Sequence, residues 1–469
     1  MCALIRISPL TRINGFWNVE VEVNNGRVTD ARSSGIIFRG FEKILLGRDP
    51  RDAIYLTERI CGICSTAHAL AAAFALENAL NLKVPENAVF IRNLSFGADL
   101  LQNHIRHFYL LAMVDFVEGL NLPPLIPRYK GGYRIPQQEA EILRRNYDAH
   151  FEAARKCHEM VVVFGGKVPH QHGIVVGGVS VPPDTSKVQK FLAMLDGVEK
   201  FINEKMLPDA ERLAHYYADY YEIGRGHGNM LAYANFPTAP GEQKPVIPFG
   251  VVVNNQVEKF SPGQIVEYLK YAWYDGETLP PERGETKPNA DKESGYSWVK
   301  APRYRGLPFE TGPLAHLWLK GDYTRGISTM DRTIARVLEA KMVAGLLRKW
   351  AKELKQGQPI YREYTLPGGE ISGAGFTGAM RGALGHWVKI KNKRIARYQI
   401  ITPSAWSCSP RDDRGVRGPI EEALIGTPVA DPDNPIEIGR VVRAFDPCLA
   451  CAVHLVRPGR EMKSFQIMS

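Results

Sequence analysis

Between residues 4 and 38 the apolar positions alternate with polar ones. Val19, Val21 and Val23 interleave with Asn18, Glu20 and Glu22, and Asn25-Gly26 supplies a hairpin turn. A small N-terminal β-sheet is predicted. The period then lengthens. Residues 65–80 are rich in alanine and predict a helix. Over 88–120, Ile91, Leu94, Ala98, Leu101, Ile105, Phe108 and Leu111 recur at helical spacing, and 141–163, 186–222 and 325–356 read the same way. These segments predict a central bundle of long helices. Residues 274–313, rich in Pro, Gly and charge, predict an extended surface segment. Residues 363–430 predict short strands and turns, punctuated by Gly368-Gly369, Gly373-Ala374-Gly375 and Gly378. No internal repeat or clear linker divides the chain, so residues 1–469 are expected to form one unit of α+β class, predominantly α.

A chain of 469 residues that is 45% hydrophobic can bury a large core. The net charge of +9 is spread along the sequence. It serves solubility, or a docking face for an acidic protein or anionic membrane. No block of Lys and Arg marks a nucleic-acid arm, so no nucleic-acid partner is expected. The start, Met1-Cys2-Ala3-Leu4-Ile5-Arg6, lacks the basic and long apolar regions of a signal peptide. No stretch approaches the ~18 apolar residues of a membrane span. The chain is therefore expected to fold in the cytoplasm, with any export depending on a partner.

Chemistry enters with the cysteines. Four of the seven form two Cys-x-x-Cys pairs at opposite ends of the chain: Cys61 with Cys64, and Cys448 with Cys451. Cys2, Cys157 and Cys408 are scattered and read as small apolar residues. Each pair brings two sulfurs within reach of one metal, and four thiolates suit nickel, iron, zinc or an iron–sulfur cluster. The pairs lie so far apart that only the fold can close such a site. Four readings compete: a structural zinc staple, two separate redox motifs, an iron–sulfur cluster, and a metal centre with open coordination positions. The redox reading wants a thioredoxin-like context that neither pair has. The first pair should lie on the turn entering the alanine-rich helix, where the N-terminal dipole favours thiolate. Arg59, His68, Asp446 and His454 flank the pairs as tuning groups.

Arg59-Ile60-Cys61-Gly62-Ile63-Cys64 with His68, and Asp446-Pro447-Cys448-Leu449-Ala450-Cys451-Ala452-Val453-His454, resemble the two signature motifs of the nickel–iron hydrogenase large subunit, with the flavour of its respiratory, H2-uptake branch. Further blocks in order carry the resemblance along the whole chain. They are Leu10 to Gly15, Arg39 to Glu42, His104 to Tyr109, Gly165 to His170, Ser297 to Tyr304, and Arg381 to Trp387.

The resemblance implies that all four cysteines bind nickel, and that Cys64 and Cys451 bridge to an iron carrying one CO and two cyanides. The implied reaction is reversible heterolytic cleavage of H2 to protons and electrons. Cys448 is the implied first base. Arg381 is suspended over the metals, where it binds a cyanide and polarises H2. Asp446 pairs with Arg381 or caps the local turn. Ser404 donates to the other cyanide, and His68 supports the centre. Glu42 and His454 hold a buried magnesium. His104, His107 and His386 are left as helix or core polar groups. Electrons need a relay, and the three remaining cysteines are too few to hold one. The implied partner is an iron–sulfur small subunit, met near Lys167 and His170. It would pass electrons to a cytochrome b or another membrane acceptor, leaving the complex membrane-associated or exported with the small subunit. A maturation protease and nickel-insertion factors are also implied, the protease removing residues 455–469.

Three positions depart from the family pattern. Asn14 stands where the family usually places a glutamate that relays protons beyond the cysteine. Met380 replaces a proline before Arg381, and Asn103 replaces an acidic residue. These departures keep a second reading open: a hydrogen-sensing regulatory hydrogenase with slow turnover.

Overall fold

The computed structural model describes residues 2–122, 125, 128–238 and 245–452. The chain opens with three antiparallel strands, Cys2–Ile7, Trp17–Asn24 and Arg27–Gly35, paired in sequence order. Trp17, Val19, Val21 and Val23 point to the core as the period of two requires. The turn residues Asn25 and Gly26 both take positive φ, 51° and 73°. That pair is the type I′ turn whose twist matches its strands.

Long helices form the centre. Glu86–Arg106 packs on Gln137–Gly165 and Thr329–Glu353, and Thr185–Phe201 completes the bundle. Asp184 and Ser328 cap two of these helices through their side chains. Two predicted helices are interrupted. The segment over 88–120 is α-helical to Arg106, then widens into a π turn at His107–Ala112 and ends in a short 3-10 turn. The widened turn accompanies a bond from His107 Nε2 to the carbonyl of Arg443, at 2.7 Å. The segment over 186–222 widens at Ile202–Met206, just before Pro208, which has no N–H to continue the ladder.

The C-terminal third differs more from expectation. Residues 363–430 hold long strands, not short ones: Glu370–Ala379, Gly382–Lys391 and Arg394–Ile401 form an antiparallel sheet. Its glycines are not punctuation. A Cβ on Gly373 would sit 2.2 Å from the carbonyl oxygen of Ala75, and one on Gly375 would sit 2.1 Å from that of Ala71. The first strand thus lies directly on the backbone of the helix Ser65–Ala79, an approach only glycine permits. The stretch 274–313 is also less superficial than its composition implies. Ala301–Tyr304 is a buried strand paired with Ile265–Tyr268, and its charges are matched internally. Lys300 meets Glu267 at 3.1 Å, and Arg303 meets Asp412 at 3.3 Å.

Among the described residues two large apolar cores result, one around the bundle and one around the N-terminal sheet and the C-terminal helices, with a small third cluster around Phe38. Cys448 belongs to the first and the adjacent Leu449 to the second. The second cysteine pair therefore lies on the seam between them. No helix among the described residues is long and apolar enough to cross a membrane.

Candidate metal centre

The first pair sits where the sequence predicts. Cys64 is the N-cap of the helix Ser65–Ala79, its carbonyl accepting from His68 N at 3.3 Å. The second pair is brought to it by backbone stitching. Asn14 N donates to Pro447 O at 3.4 Å, and Leu449 N donates to Asn14 O at 2.7 Å. Gly15, with φ of 90°, could carry no side chain, since a Cβ would lie 2.3 Å from Ala450 N. Arg39 clamps both turns with one guanidinium, donating to the carbonyls of Ile60 and Ala450. Arg39 thus holds the two ends of the chain together while leaving the sulfurs untouched.

The sulfurs of Cys61, Cys64 and Cys448 consequently lie within 4.8 Å of one another, all buried. Cys61 and Cys448 approach to 3.3 Å. The backbone of Cys451 continues in the helix Leu449–Ala452, but its side chain and His454 lie outside the described residues. Cys157 and Cys408 are buried and do not join this sulfur cluster. Burial pushes the thiols of Cys157 and Cys408 well above their ordinary value, so both behave as apolar residues.

Asn14 also reaches the sulfurs with its side chain. Its Nδ2 donates to Cys61 Sγ and Cys448 Sγ, both at 3.1 Å. Position 14 therefore donates to two sulfurs and can accept no proton from either.

Arg381 stands beside the cysteines, buried. Its Nη2 lies 3.0 Å from Asp446 Oδ1 and its Nη1 donates to Asn103 Oδ1 at 3.1 Å. Burial opposes its charge, but Asp446 and then the three cysteines outweigh that and raise its pKa. Asp446 is held below the ordinary carboxylate value because Arg381, His107 and Arg336 overcome the effect of burial. Ser404 Oγ accepts from Cys448 N at 2.8 Å, which leaves its own hydroxyl proton to give. Arg381, Ser404 and His68 line a small cavity together with Cys64, Ala379, Leu384, Pro403 and Cys448. His68 Nδ1 is paired with His386 Nε2 at 3.1 Å. Of the predicted magnesium pair, Glu42 is buried; its Oε1 accepts from Ile400 N at 3.0 Å and its Oε2 from Thr286.

Two further carboxylates are buried near this cluster. Asp99 lies one helical turn before Asn103, whose amide donates to the Asp99 carbonyl at 2.9 Å. Burial raises the Asp99 carboxyl to about 7. Glu58, accepting from Gln171 at 3.1 Å, is raised to about 8 by the same cause. Of the residues singled out from the sequence, the structure brings together Cys61, Cys64, Cys448, Arg381, Asp446, Ser404 and His68. Sequence reasoning missed Arg39 as a clamp, the direct contact of Asn14 with sulfur, Asp99, and the partner of His68. The Arg39 block was visible as a motif, whereas the others are set by contacts that no local pattern signals.

The donor set fits a soft, redox-active metal. Three sulfurs converge, the Nε of Arg381 has no hydrogen-bond partner among the described residues, and Ser404 keeps a proton to donate. The model of the nickel-dependent hydrogenase family matches residues 39–124, 118–326 and 319–454. The chain is 41% identical to the periplasmic [NiFeSe] hydrogenase large subunit of Desulfomicrobium baculatum, over 96% of this chain and 95% of that one. It is 31% identical to the hydrogenase-2 large chain of Escherichia coli K12 over the full length of both. Among solved structures, a reduced, active form of the Ni-Fe-Se hydrogenase from Desulfomicrobium baculatum matches with a TM-score of 0.94, covering 96% of this chain and all of that one. A reduced Ni-Fe-Se hydrogenase from Desulfovibrio vulgaris Hildenborough matches with the same TM-score at 41% identity. With sulfurs gathered from both ends of the chain and likeness along its whole length, this chain belongs to the nickel-dependent hydrogenase family, as a large subunit that activates H2.

Proposed function

We propose that the four cysteines hold nickel, with Cys64 and Cys451 also bridging to an iron that carries CO and two cyanides. The observation that carries this reading is the convergence of Cys61, Cys64 and Cys448 within 4.8 Å beside the partly unpaired guanidinium of Arg381. Such a metal pair would supply the redox chemistry of heterolytic H2 cleavage. The chain's own groups set its surroundings. Arg381 holds a fixed positive charge at the cavity, anchored by Asp446 and Asn103, and its free Nε–H would be available to a cyanide. Ser404, whose oxygen fixes the Cys448 amide, would have its hydroxyl proton for a second cyanide. Cys448 would be the first base for the proton.

Asn14 cannot take that proton onward. Asp99 and Glu58, raised toward neutrality by burial, are carboxylates buried near the cluster that could hold one. Electrons leave where the first cysteine turn nears the surface. Arg59 and Gly62 are exposed there, next to the exposed Lys167 and Pro169, while His170 N donates to Ser65 Oγ at 3.1 Å. This face would meet an iron–sulfur small subunit. That subunit would pass electrons to a cytochrome b or another membrane acceptor, and the pair would be exported together. Glu42 and His454 would secure a magnesium after a protease removes residues 455–469.

A second reading has its own observation. Asn14 on two sulfurs and Asn103 on Arg381 remove two acidic positions from the pocket edge. A centre so altered suits a slow hydrogen sensor. Dye reduction under H2 by the chain co-expressed with its partner tests both readings. Fast reduction that is lost in Cys61→Ser supports the enzyme. A slow but H2-specific rate supports the sensor, and no H2-dependent rate in nickel-loaded complex contradicts both.

A further inference from the structure

Behind His68 runs a short, fully buried chain of hydrogen bonds. His68 Nδ1 lies 3.1 Å from His386 Nε2, and His386 Nδ1 lies 2.8 Å from the hydroxyl of Tyr398. His68 and His386 are 1% and 0% exposed and Tyr398 is 2% exposed. The residues come from three elements. His68 is on the helix Ser65–Ala79, and His386 and Tyr398 are on the two neighbouring strands Gly382–Lys391 and Arg394–Ile401. Both rings are fully buried and, among the described residues, neither is paired with a carboxylate, so both are neutral.

A neutral imidazole has one N–H and one bare nitrogen, so each ring can donate through one nitrogen and accept through the other. The chain can therefore run in only two directions. In the first, Tyr398 O–H donates to His386 Nδ1, His386 Nε2–H donates to His68 Nδ1, and His68 carries its proton on Nε2. In the second, every bond is reversed and His68 Nε2 is bare.

Both ends of the chain choose the first. The Tyr398 hydroxyl has no other hydrogen-bond partner among the described residues, so reversal would strand a buried O–H, at a cost of about 1–3 kcal/mol. At the other end, His68 lines the cavity shared with Cys64 and Cys448, whose sulfurs are acceptors once ionised. With Nδ1 taken by His386, Nε2 is the remaining polar atom of the ring that lines this cavity, and leaving it bare beside ionised sulfurs would set lone pair against lone pair.

We propose that Tyr398 and His386 are positioning residues, a tautomer relay that commits His68 to present Nε2–H to the cysteine cavity. The relay makes His68 a fixed donor, so it neither takes up a proton from the centre nor rotates away. It balances Asn14 on the other side of the sulfurs, where Nδ2 also donates. Each N–H directed at a thiolate withdraws electron density from it, and the relay sets that withdrawal from a second layer of protein.

This inference rests on the metal-centre reading for its consequence but not for its geometry, and two measurements separate them. In protein labelled with 15N-histidine, both His68 and His386 are expected as the Nε2–H tautomer, with their assignment taken from His68→Gln and His386→Gln. A His68 protonated on Nδ1 overturns the proposal whether or not metals are bound. In the assembled complex, Tyr398→Phe removes only the hydroxyl, and the CO stretching band is expected to move to lower frequency as the thiolates regain electron density. Band positions identical to those of the wild type would overturn the relay. Absence of any CO band in the wild type would instead count against the metal-centre reading, leaving the tautomer result to stand.

Discussion

Asn14 is the residue on which the chemistry of this chain turns. Its backbone stitches the second cysteine pair to the N-terminal loop, and its amide donates to two sulfurs at 3.1 Å. A glutamate in its place would remove those donors and supply an acceptor able to change protonation state. Asn14→Glu is therefore expected to raise the rate of H/D exchange, and an unchanged or lower rate would contradict this account of the proton route. At this scale the sequence was highly legible where residues are bound into motifs. Cys61, Cys64, Cys448, Arg381, Asp446 and Ser404 all stand at one site. It was poorly legible where a role depends on which atom points at which. The change from Glu to Asn was visible at position 14, but two N–H···S contacts were not. His386 reads as one more core histidine until Tyr398, on the next strand, closes the chain behind His68.

The elements that carry these residues are placed by unusually close packing. The strand Glu370–Ala379 lies on the backbone of the cysteine helix because Gly373 and Gly375 present no side chain to it. Gly375→Ala would put a Cβ about 2.1 Å from the carbonyl oxygen of Ala71, so strand or helix must move. Overpacking of this kind costs about 1–3 kcal/mol. Urea unfolding should show a loss in that range, with reduced nickel retention as the helix bearing Cys64 shifts. Unchanged stability would mean that the strand is not pressed on the helix. These glycines read as turn signals from sequence because clustered glycine normally marks chain reversal. Their role as a flat contact surface depends on a helix some three hundred positions earlier. The helices themselves were legible from apolar spacing, and the π turns that interrupt them were not, since hydrophobic period does not register one extra residue in a turn.

At the scale of the whole molecule, buried charge ties the ends together. Asp115 is fully buried between Arg12 of the N-terminal loop and Arg443 of the helix Ile436–Ala444, the latter at 2.7 Å. Burial alone would raise its carboxyl, but the two arginines hold it below the ordinary value. Other carboxyls are not so compensated. Burial raises Glu58 to about 8, and Asp99 and Glu421 to about 7. Unfolding returns them to ordinary values of 4.5 and 3.8. Between those limits each of these carboxyls binds more protons folded than unfolded, so its own contribution to stability falls as pH rises, while the buried histidines, lowered by burial, act in the opposite sense below their ordinary value. Asp99→Asn removes one such contribution, so urea unfolding should show the variant gaining stability relative to the wild type from about pH 5 to about pH 8. A variant that loses stability relative to the wild type over that window would contradict the assignment.

The central claim is that the two ends of the chain close on a nickel–iron centre carrying CO and cyanide. Infrared spectroscopy of the chain purified with its partner, with nickel and iron quantified on the same sample, tests it most directly. The account predicts sharp CO and cyanide bands with nickel and iron both present. Zinc or no metal in a fully matured preparation, with those bands absent, would contradict it.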